Sequence, residues 1–242
     1  MFRSRLSERW GKNLRLEVLG NAAEVAKFAA QELLSAASPS TVFGFATGNT
    51  PLSIYKELSN HGRLACASAF SLDEYVGLQA EDPRSFAWYI RNRVEPALQL
   101  GAGFIHVPAG DAKDTDGECV RFESLIQSNP IDLQLLGTGR NGHIAFNEPG
   151  SDEDSVTRVV ELAETTRTDN GSDFGGLAPQ WAMTQGVATI LRARKILLVA
   201  TGAAKKEPLA RLLAGEVDKA WPITHLIGHP DLVVLADQAA VD

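Results

Sequence analysis

Cysteine is scarce in this sequence: Cys66 and Cys119 are too few for a disulfide framework and lack the short spacing of paired metal ligands. Long apolar runs are also missing, since no stretch approaches the roughly 20 residues that a membrane-spanning helix needs. Residues 1–12 carry charges but no apolar segment typical of a secretion signal. These absences predict a reduced, cytoplasmic protein without a membrane anchor.

Positive charge is in deficit as well. The 23 lysines and arginines stand against 30 aspartates and glutamates, which leaves a formal net charge of −7. A surface that binds nucleic acid or anionic lipid needs a basic patch, and this balance argues against both. Any anionic ligand must therefore be bound locally, by a few cations and backbone amides. The chain has no internal repeat, and its 242 residues with 44% apolar content predict a single domain over 1–242.

What the sequence does have is a regular alternation of strand and helix patterns. Leu14–Leu19 alternates apolar and polar residues like a strand, and Asn21 then suits the N-cap of a helix that runs to about Ala37. Thr50 before Pro51 fits an N-cap followed by proline, and predicts a second helix over 52–58. The other predicted strands are 42–46, 67–72, 104–107, 131–136, 156–162, 195–200 and 232–236, and the other helices are 85–94, 117–127, 182–191, 205–213 and 223–226. This alternation predicts an α/β fold with a mostly parallel, doubly wound sheet.

The most informative stretch follows the predicted strand 131–136. Gly137, Gly139 and Gly142 interrupt the regular backbone and predict a loop beyond the carboxyl end of the strand, where open α/β sheets place their binding sites. The loop contains His143 and Glu148 among small residues. A neutral imidazole can take a proton from one oxygen and return it to another near physiological pH. The combination favours acid-base chemistry over a simple glycine-rich turn.

Residues 135–151, LLGTGRNGHIAFNEPGS, closely resemble the signature of the glucosamine-6-phosphate deaminase family, G-x-G-x-[DN]-G-H-[IL]-x-F-N-E-P. The run DEYVGL at 73–78 resembles a second motif of that family, and the resemblance extends from about Phe43 to about Asp237. It implies a Rossmann-like three-layer α/β/α sandwich. It also implies conversion of glucosamine 6-phosphate to fructose 6-phosphate and ammonia, in amino-sugar catabolism. No metal or organic cofactor is implied.

The resemblance also implies four catalytic residues. Asp73 would be the base that moves a proton from C2 to C1 of the sugar. Its neighbour Glu74 is expected to be structural, since adjacent side chains of a strand point to opposite faces. His143, supported by Asn141 and Glu148, would open the pyranose ring. The remaining histidines are predicted to be structural: His61, His106, His225 and His229.

A phosphate site is predicted at two strand-to-helix turns. The first offers hydroxyls, a close backbone approach and the positive end of a helix. Its residues are Thr47, Gly48, Asn49 and Thr50. The second turn contributes Lys205, which resembles the phosphate-contacting lysine of the family and suits a phosphate as a point charge.

Two departures from the family pattern concern affinity and regulation. Family members usually carry an arginine where this chain has Ser172, which predicts altered phosphate binding or another sugar-phosphate substrate. Hexameric members bind an N-acetylated sugar phosphate at an allosteric site. Ser151 and Arg158 would fit that site, whereas Asp152 and Val160 would not. We therefore expect a monomer or small homo-oligomer without this control, with a small-molecule sugar phosphate as its partner.

Two alternative functions use the same fold. The 6-phosphogluconolactonases have a similar glycine-histidine loop but lack the Phe-Asn-Glu-Pro continuation that this chain has at 146–149. A sugar-phosphate sensor of the kind found in transcription regulators should carry a helix-turn-helix, and only about a dozen residues precede the first predicted strand. Both alternatives are therefore expected to be less favoured than the deaminase.

Overall fold

The computed structural model describes residues 14–241, so the interpretation of residues 1–12 lies outside the described part of the chain. The described strands are β1 (Leu14–Leu19), β2 (Val42–Phe45), β3 (Ser68–Ser71), β4 (Asp73–Tyr75), β5 (Ile105–His106), β6 (Leu133–Leu136), β7 (Arg158–Glu161), β8 (Trp181–Thr184), β9 (Lys195–Ala200) and β10 (Leu232–Asp237). Seven of them form one sheet in the order β1-β10-β9-β6-β2-β3-β5. Every neighbouring pair in it is parallel, which confirms the predicted sheet.

Helices flank this sheet, as predicted for a three-layer sandwich. They are α1 (Ala22–Ala36), α2 (Asn49–Leu58), α3 (Phe86–Tyr89), α4 (Glu95–Ala97), α5 (Thr115–Ser128), α6 (Glu164–Asp169), α7 (Val187–Leu191), α8 (Lys206–Ala214) and α9 (Gln238–Val241). A π-helical segment, Ile90–Val94, joins α3 to α4. Asn21 caps α1 as predicted, because its side chain accepts a hydrogen bond from the backbone N–H of Glu24 at 3.0 Å. Among the described residues, no helix has both the length and the apolar character to cross a bilayer.

The order of the strands places a crevice at the centre of the main sheet. From β2 the chain proceeds outward through β3 to β5, and from β6 it proceeds in the opposite direction through β9 to β10. The loops that follow β2 and β6 therefore diverge at the carboxyl edge, which is where ligands bind in open α/β sheets. Both strands are buried on both faces, as central parallel strands require.

A smaller antiparallel sheet, β4-β8-β7, was only partly predicted from the sequence. Its middle strand β8 shows that the predicted helix 182–191 is wrong in its first half, since only α7 is helical. Ala182 and Met183 are fully buried and pair with β4 on one side and β7 on the other. A short apolar run fits either a strand or a buried helix, and pairing with distant strands decided the outcome.

The start of α2 also differs from the prediction. The helix begins at Asn49, with Gly48 rather than Thr50 at the N-cap. Gly48 has a φ of 99°, a conformation that glycine adopts at little cost. The glycine thus allows the chain to turn out of β2 directly into the helix, and Pro51 lies inside the first turn, where a missing N–H costs nothing.

Candidate active site

A cavity of about 670 Å³ opens at the crevice. It is lined by the loops after β2, β3, β6 and β9, by α3, and by the segment that contains α6 and the turn Gly171–Phe174. Seven of the residues singled out in the sequence line it: Thr47, Gly48, Asn49, Thr50, Asp73, His143 and Lys205. Asn141 and Glu148 lie behind His143 and contact it from there. The fold therefore brings all nine candidates to one place.

His143 is oriented by the loop that carries it. Its backbone N–H donates to Asn141 Oδ1 at 3.2 Å, and Asn141 Nδ2 donates to Glu148 Oε2 at 2.9 Å. The same Glu148 oxygen lies 3.8 Å from His143 Nδ1, and the backbone N–H of Ala163 donates to Glu148 Oε1 at 3.3 Å. Burial lowers the pKa of His143, with Glu148 acting in the opposite direction. The imidazole is therefore neutral near pH 7 and can take up a proton.

Gly139 makes room for this histidine. A Cβ atom at position 139 would lie 2.3 Å from His143 Cε1, far inside van der Waals contact. The backbone of the loop also closes tightly here, because Gly139 N–H and Thr138 Oγ1 both donate to the carbonyl oxygen of His143 at 3.0 Å. Any side chain at position 139 would displace the ring from its place against Glu148.

Asp73 is a buried carboxyl group with an unpaired oxygen. The residue is only 5% exposed, and its Oδ1 has no hydrogen-bond partner in the described structure. Burial raises the pKa of Asp73 well above its ordinary value, and the negative charge of Glu74 raises it further. Burying a carboxylate without a partner is unfavourable, and such perturbed groups cluster at functional sites.

The adjacent Glu74 has the opposite environment. Its carboxylate accepts hydrogen bonds from three backbone N–H groups, those of Tyr75 at 2.8 Å, Phe86 at 3.0 Å and Ala87 at 2.7 Å. Two of these belong to the first turn of α3, so Glu74 supports the start of that helix. Burial raises its pKa to about 7, although the backbone hydrogen bonds act to lower it. Glu74 points away from the cavity, as strand alternation predicts.

The other end of the cavity is built from the first turn of α2 and the turn after β9. The backbone at Gly48 is fixed by Tyr89, whose hydroxyl donates to the Gly48 carbonyl oxygen at 2.7 Å. Asn49 and Thr50 follow, and the N–H groups of a first helical turn have no partners within the helix. Lys205 ends the turn Ala203–Lys205, and burial lowers its pKa. These features suit an anion.

Several residues around the cavity were not singled out in the sequence. Arg140 lines it and pairs with Asp169, with 2.8 Å between Nη2 and Oδ1. An aromatic wall is formed by residues whose ring centroids lie 4.8 to 5.8 Å apart: Tyr75, Phe86, Phe146 and Phe174. Phe146 and Tyr75 lie within the two motifs, so their position there was the available signal. Ser172, which the sequence analysis did single out, also lines the cavity and brings no charge to it.

The four histidines predicted to be structural do not line the cavity in the described structure. His229 is buried, with its Nε2 2.8 Å from the carbonyl oxygen of Ala193. Its Nδ1 accepts a hydrogen bond from the backbone N–H of Asp231 at 3.2 Å. His106 packs against the ring of Phe70. His143 is therefore the histidine that the fold presents to the cavity.

Comparison with known sequences identifies a family and several relatives that this chain resembles. Residues 17–234 match the sequence model of a family described as glucosamine-6-phosphate isomerases/6-phosphogluconolactonase. The glucosamine-6-phosphate deaminase of Shewanella loihica is 38% identical over 94% of this chain and 88% of the relative. The enzyme of the same name from Beutenbergia cavernae is 40% identical over 94% of this chain and 91% of the relative.

Solved structures show the same relationship. A monomeric glucosamine-6-phosphate deaminase superposes with a TM-score of 0.89 at 36% identity, over 93% of this chain and 98% of the other. A 6-phosphogluconolactonase from Trypanosoma cruzi superposes with a TM-score of 0.75 at 19% identity, over 94% and 96%. At that lower identity the similarity shows a shared fold alone.

Proposed function

Because this chain belongs to the family of glucosamine-6-phosphate isomerases and 6-phosphogluconolactonases, we propose that it is a glucosamine-6-phosphate deaminase. The reaction would convert glucosamine 6-phosphate and water to fructose 6-phosphate and ammonia. The deaminases compared above are 36% to 40% identical to this chain, whereas the lactonase is 19% identical. This difference favours deamination over lactone hydrolysis.

One observation carries the catalytic part of the proposal: a buried carboxyl group at the start of β4 and a neutral histidine in the loop after β6 face the same cavity. Asp73 has a raised pKa and a free oxygen, which suits a base that takes a proton from carbon. His143 is neutral and held against a carboxylate, which suits a proton shuttle between oxygens. Ring opening and isomerisation need these two different groups.

His143 would act first, on the closed pyranose ring. It would accept the proton of the C1 hydroxyl and return it to the ring oxygen, so that the C1–O5 bond breaks and the open-chain aldehyde forms. The carboxylate of Glu148 on the Nδ1 side favours a proton on that nitrogen and leaves Nε2 as the acceptor. Asn141 holds Glu148 in place through its side-chain amide.

Asp73 would act second, on the open-chain sugar. It would take the C2 proton while O1 takes up a proton from the ammonium group, which leaves an enol with a neutral amino group on C2, and Asp73 would then return its proton to C1. The C2 iminium that results adds water and releases ammonia, which yields the ketone of fructose 6-phosphate. The ammonium group of the substrate brings a positive charge close to Asp73, and this favours the ionised carboxylate in the complex.

The phosphoryl group would lie at the opposite end, against the first turn of α2 and Lys205. Backbone N–H groups at a helix N-terminus and a nearby lysine together bind phosphate without a metal ion. Thr47 and Thr50 line the same part of the cavity and can donate hydroxyl hydrogen bonds.

Two assays on the purified protein test the proposed function. Ammonia release from glucosamine 6-phosphate is expected, and acid release from 6-phosphogluconolactone is not. Acid release without ammonia would replace the deaminase with a lactonase. Binding of glucosamine 6-phosphate without turnover would favour a sugar-phosphate sensor.

We further propose that the chain is a cytoplasmic monomer or small homo-oligomer without the allosteric control of hexameric relatives. Ser151 and Arg158 do meet at a second cavity of about 410 Å³, where Arg158 Nη2 donates to Ser151 Oγ at 3.3 Å. Four carboxylate residues line it as well: Glu148, Asp152, Asp154 and Glu161. They disfavour an anionic effector. A hexamer in sedimentation, or a sigmoidal rate curve abolished by N-acetylglucosamine 6-phosphate, would contradict the proposal.

A further inference from the structure

Two positively charged side chains reach the phosphate end of the cavity from different loops. Lys205 comes from the turn after β9, and Arg140 comes from the glycine-rich loop after β6. They are close enough for the charge of Arg140 to lower the pKa of Lys205. A dianion between them would attract both side chains and offset their mutual repulsion.

A carboxylate lies beside both cations. Asp169 Oδ1 is 2.8 Å from Arg140 Nη2, and the charge of Asp169 raises the pKa of Lys205. One carboxylate offsets one cation, so Lys205 alone would leave this part of the cavity without net positive charge. Arg140 restores it. The Arg140 and Asp169 side chains are 56% and 43% exposed, and ion pairs this accessible are weak and easily exchanged.

Two other arginines of the described residues 14–241 line the cavity, and they have different partners. Arg84 pairs with Asp82 at 2.6 Å and lies over the ring of Phe174, 5.3 Å from its centroid. Arg93 lies over the rings of Trp88 and Tyr89. Neither is among the charges that shift the pKa of Lys205. Arg140 is therefore the arginine with the position to act together with the lysine.

We propose that Arg140 is a second phosphate-binding residue, which together with Lys205 holds the phosphoryl group of the sugar substrate. In the free protein Asp169 keeps the guanidinium at the cavity wall, and the phosphate displaces this carboxylate when it binds. A guanidinium presents paired N–H donors that match two phosphate oxygens, which a lysine does not offer. The inference rests on the proposed function and extends it to a residue within the signature loop.

Arg140→Met tests the assignment in the complete protein. We expect KM for glucosamine 6-phosphate to rise about 10- to 100-fold, the usual range for loss of a charge-assisted hydrogen bond. The kcat should stay within a few-fold, because the phosphate is remote from C1 and C2 and is bound alike in ground and transition states. Competitive inhibition by inorganic phosphate should weaken by a similar factor, and Arg140→Lys should recover part of the loss.

Asp169→Asn should change the affinity for phosphate in the opposite direction to Arg140→Met. Removing the competing carboxylate should strengthen inhibition by inorganic phosphate a few-fold in the parent background, and should have a smaller effect in Arg140→Met, where Lys205 remains but the paired arginine is gone. Arg211→Met is the matched control, because Arg211 is similarly exposed and paired with a carboxylate, Glu207, but lies outside the cavity on α8. Its kinetics should equal those of the parent.

Unchanged KM and unchanged phosphate inhibition in Arg140→Met would overturn the inference, and a rise in KM for Arg84→Met alone would assign the role to Arg84. The role of Arg140 can also be tested if the proposed deaminase activity is absent. If the parent releases no ammonia, calorimetric titration with inorganic phosphate still compares the parent with Arg140→Met. Equal affinities, or no binding to the parent, would then overturn the phosphate site.

Discussion

The two ends of the cavity differ in burial and in the way charge is balanced. At the reaction end Asp73 is buried with a free oxygen, and His143 is half-buried beside one carboxylate. At the phosphate end Arg140 and Asp169 form an accessible ion pair beside Lys205. Burial tunes proton affinity, whereas accessible cations tune binding. Changes at the first end should therefore alter kcat, and changes at the second should alter KM.

The largest effect is expected at Asp73. Asp73→Asn keeps the shape of the side chain but cannot accept the C2 proton, so kcat should fall by about 10²- to 10⁴-fold, as for loss of a general base. KM and the inhibition constant of inorganic phosphate should stay within a few-fold of the parent, which shows that the binding end is intact. Turnover within a few-fold of the parent would rule out Asp73 as the base.

A smaller loss is expected for His143→Gln, since ring opening also proceeds slowly in water. The kcat for glucosamine 6-phosphate should fall by about 10²-fold, at the lower limit for general acid-base catalysis. An analogue that exists in the open-chain form bypasses this step and should be processed by the variant at close to the parent rate. Equal losses for both substrates would mean that His143 acts after ring opening.

Burial of Asp73 should also lower the stability of the folded protein at neutral and alkaline pH. Because burial raises the pKa of Asp73, the folded protein binds more protons than the unfolded chain between about pH 4 and that raised pKa. Stability therefore falls as pH rises through this interval, and Asp73→Asn removes the penalty. At pH 8 the variant should melt about 2–4 °C above the parent, which corresponds to ~1 kcal/mol for a chain of this size.

Well below about pH 4 the two melting temperatures should converge, because Asp73 is then protonated in both the folded and the unfolded state. The neighbouring carboxylate provides the contrast. Glu74→Ala leaves three backbone N–H groups without their acceptor and should lower the melting temperature. If Asp73→Asn melted below the parent at pH 8, burial of the Asp73 carboxylate would not destabilise the folded protein, and the prediction would be wrong.

The smallest effect is expected at Ser172. Since Arg140 and Lys205 already face the phosphate, Ser172→Arg should lower KM for glucosamine 6-phosphate by no more than a few-fold. Asp173 lies next to it and also lines the cavity, so part of the added charge would be offset. A tenfold or larger decrease in KM would show that the binding end lacks a cation in the parent. Impaired turnover of another sugar phosphate would instead make the serine a specificity residue.

The main sheet was predictable because its signal is local. Apolar runs of four to six residues separated by helix patterns predict parallel strands, and the structure confirms them with small shifts at their ends. The residues at the carboxyl ends of β2, β3, β6 and β9 were predictable for the same reason, since strands that share a direction bring their following loops to one edge. The short motifs then identified which of those residues to consider.

The smaller sheet was not predictable to the same extent. The run 181–184 is too short for its periodicity to separate a strand from a helix, and its partners β4 and β7 lie far away in the chain. Gly48 as the N-cap of α2 is a similar case, because Thr50 before Pro51 offers an equally good local start. Pairing with β4 and β7 made 181–184 a strand, and the turn that follows β2 placed the start of α2.

The amino-acid sequence thus determined most of the elements, the parallel direction of the main strands and the choice of candidate catalytic side chains, since each can be inferred from short stretches of the chain. The tertiary structure alone decided how those side chains behave. Asp73 and Glu74 are adjacent and chemically alike, yet one is left with an unpaired oxygen and the other receives three hydrogen bonds. Burial, hydrogen-bond partners and the placement of Arg140 beside Lys205 arise from segments that meet only in the folded chain, and these set proton affinity and charge.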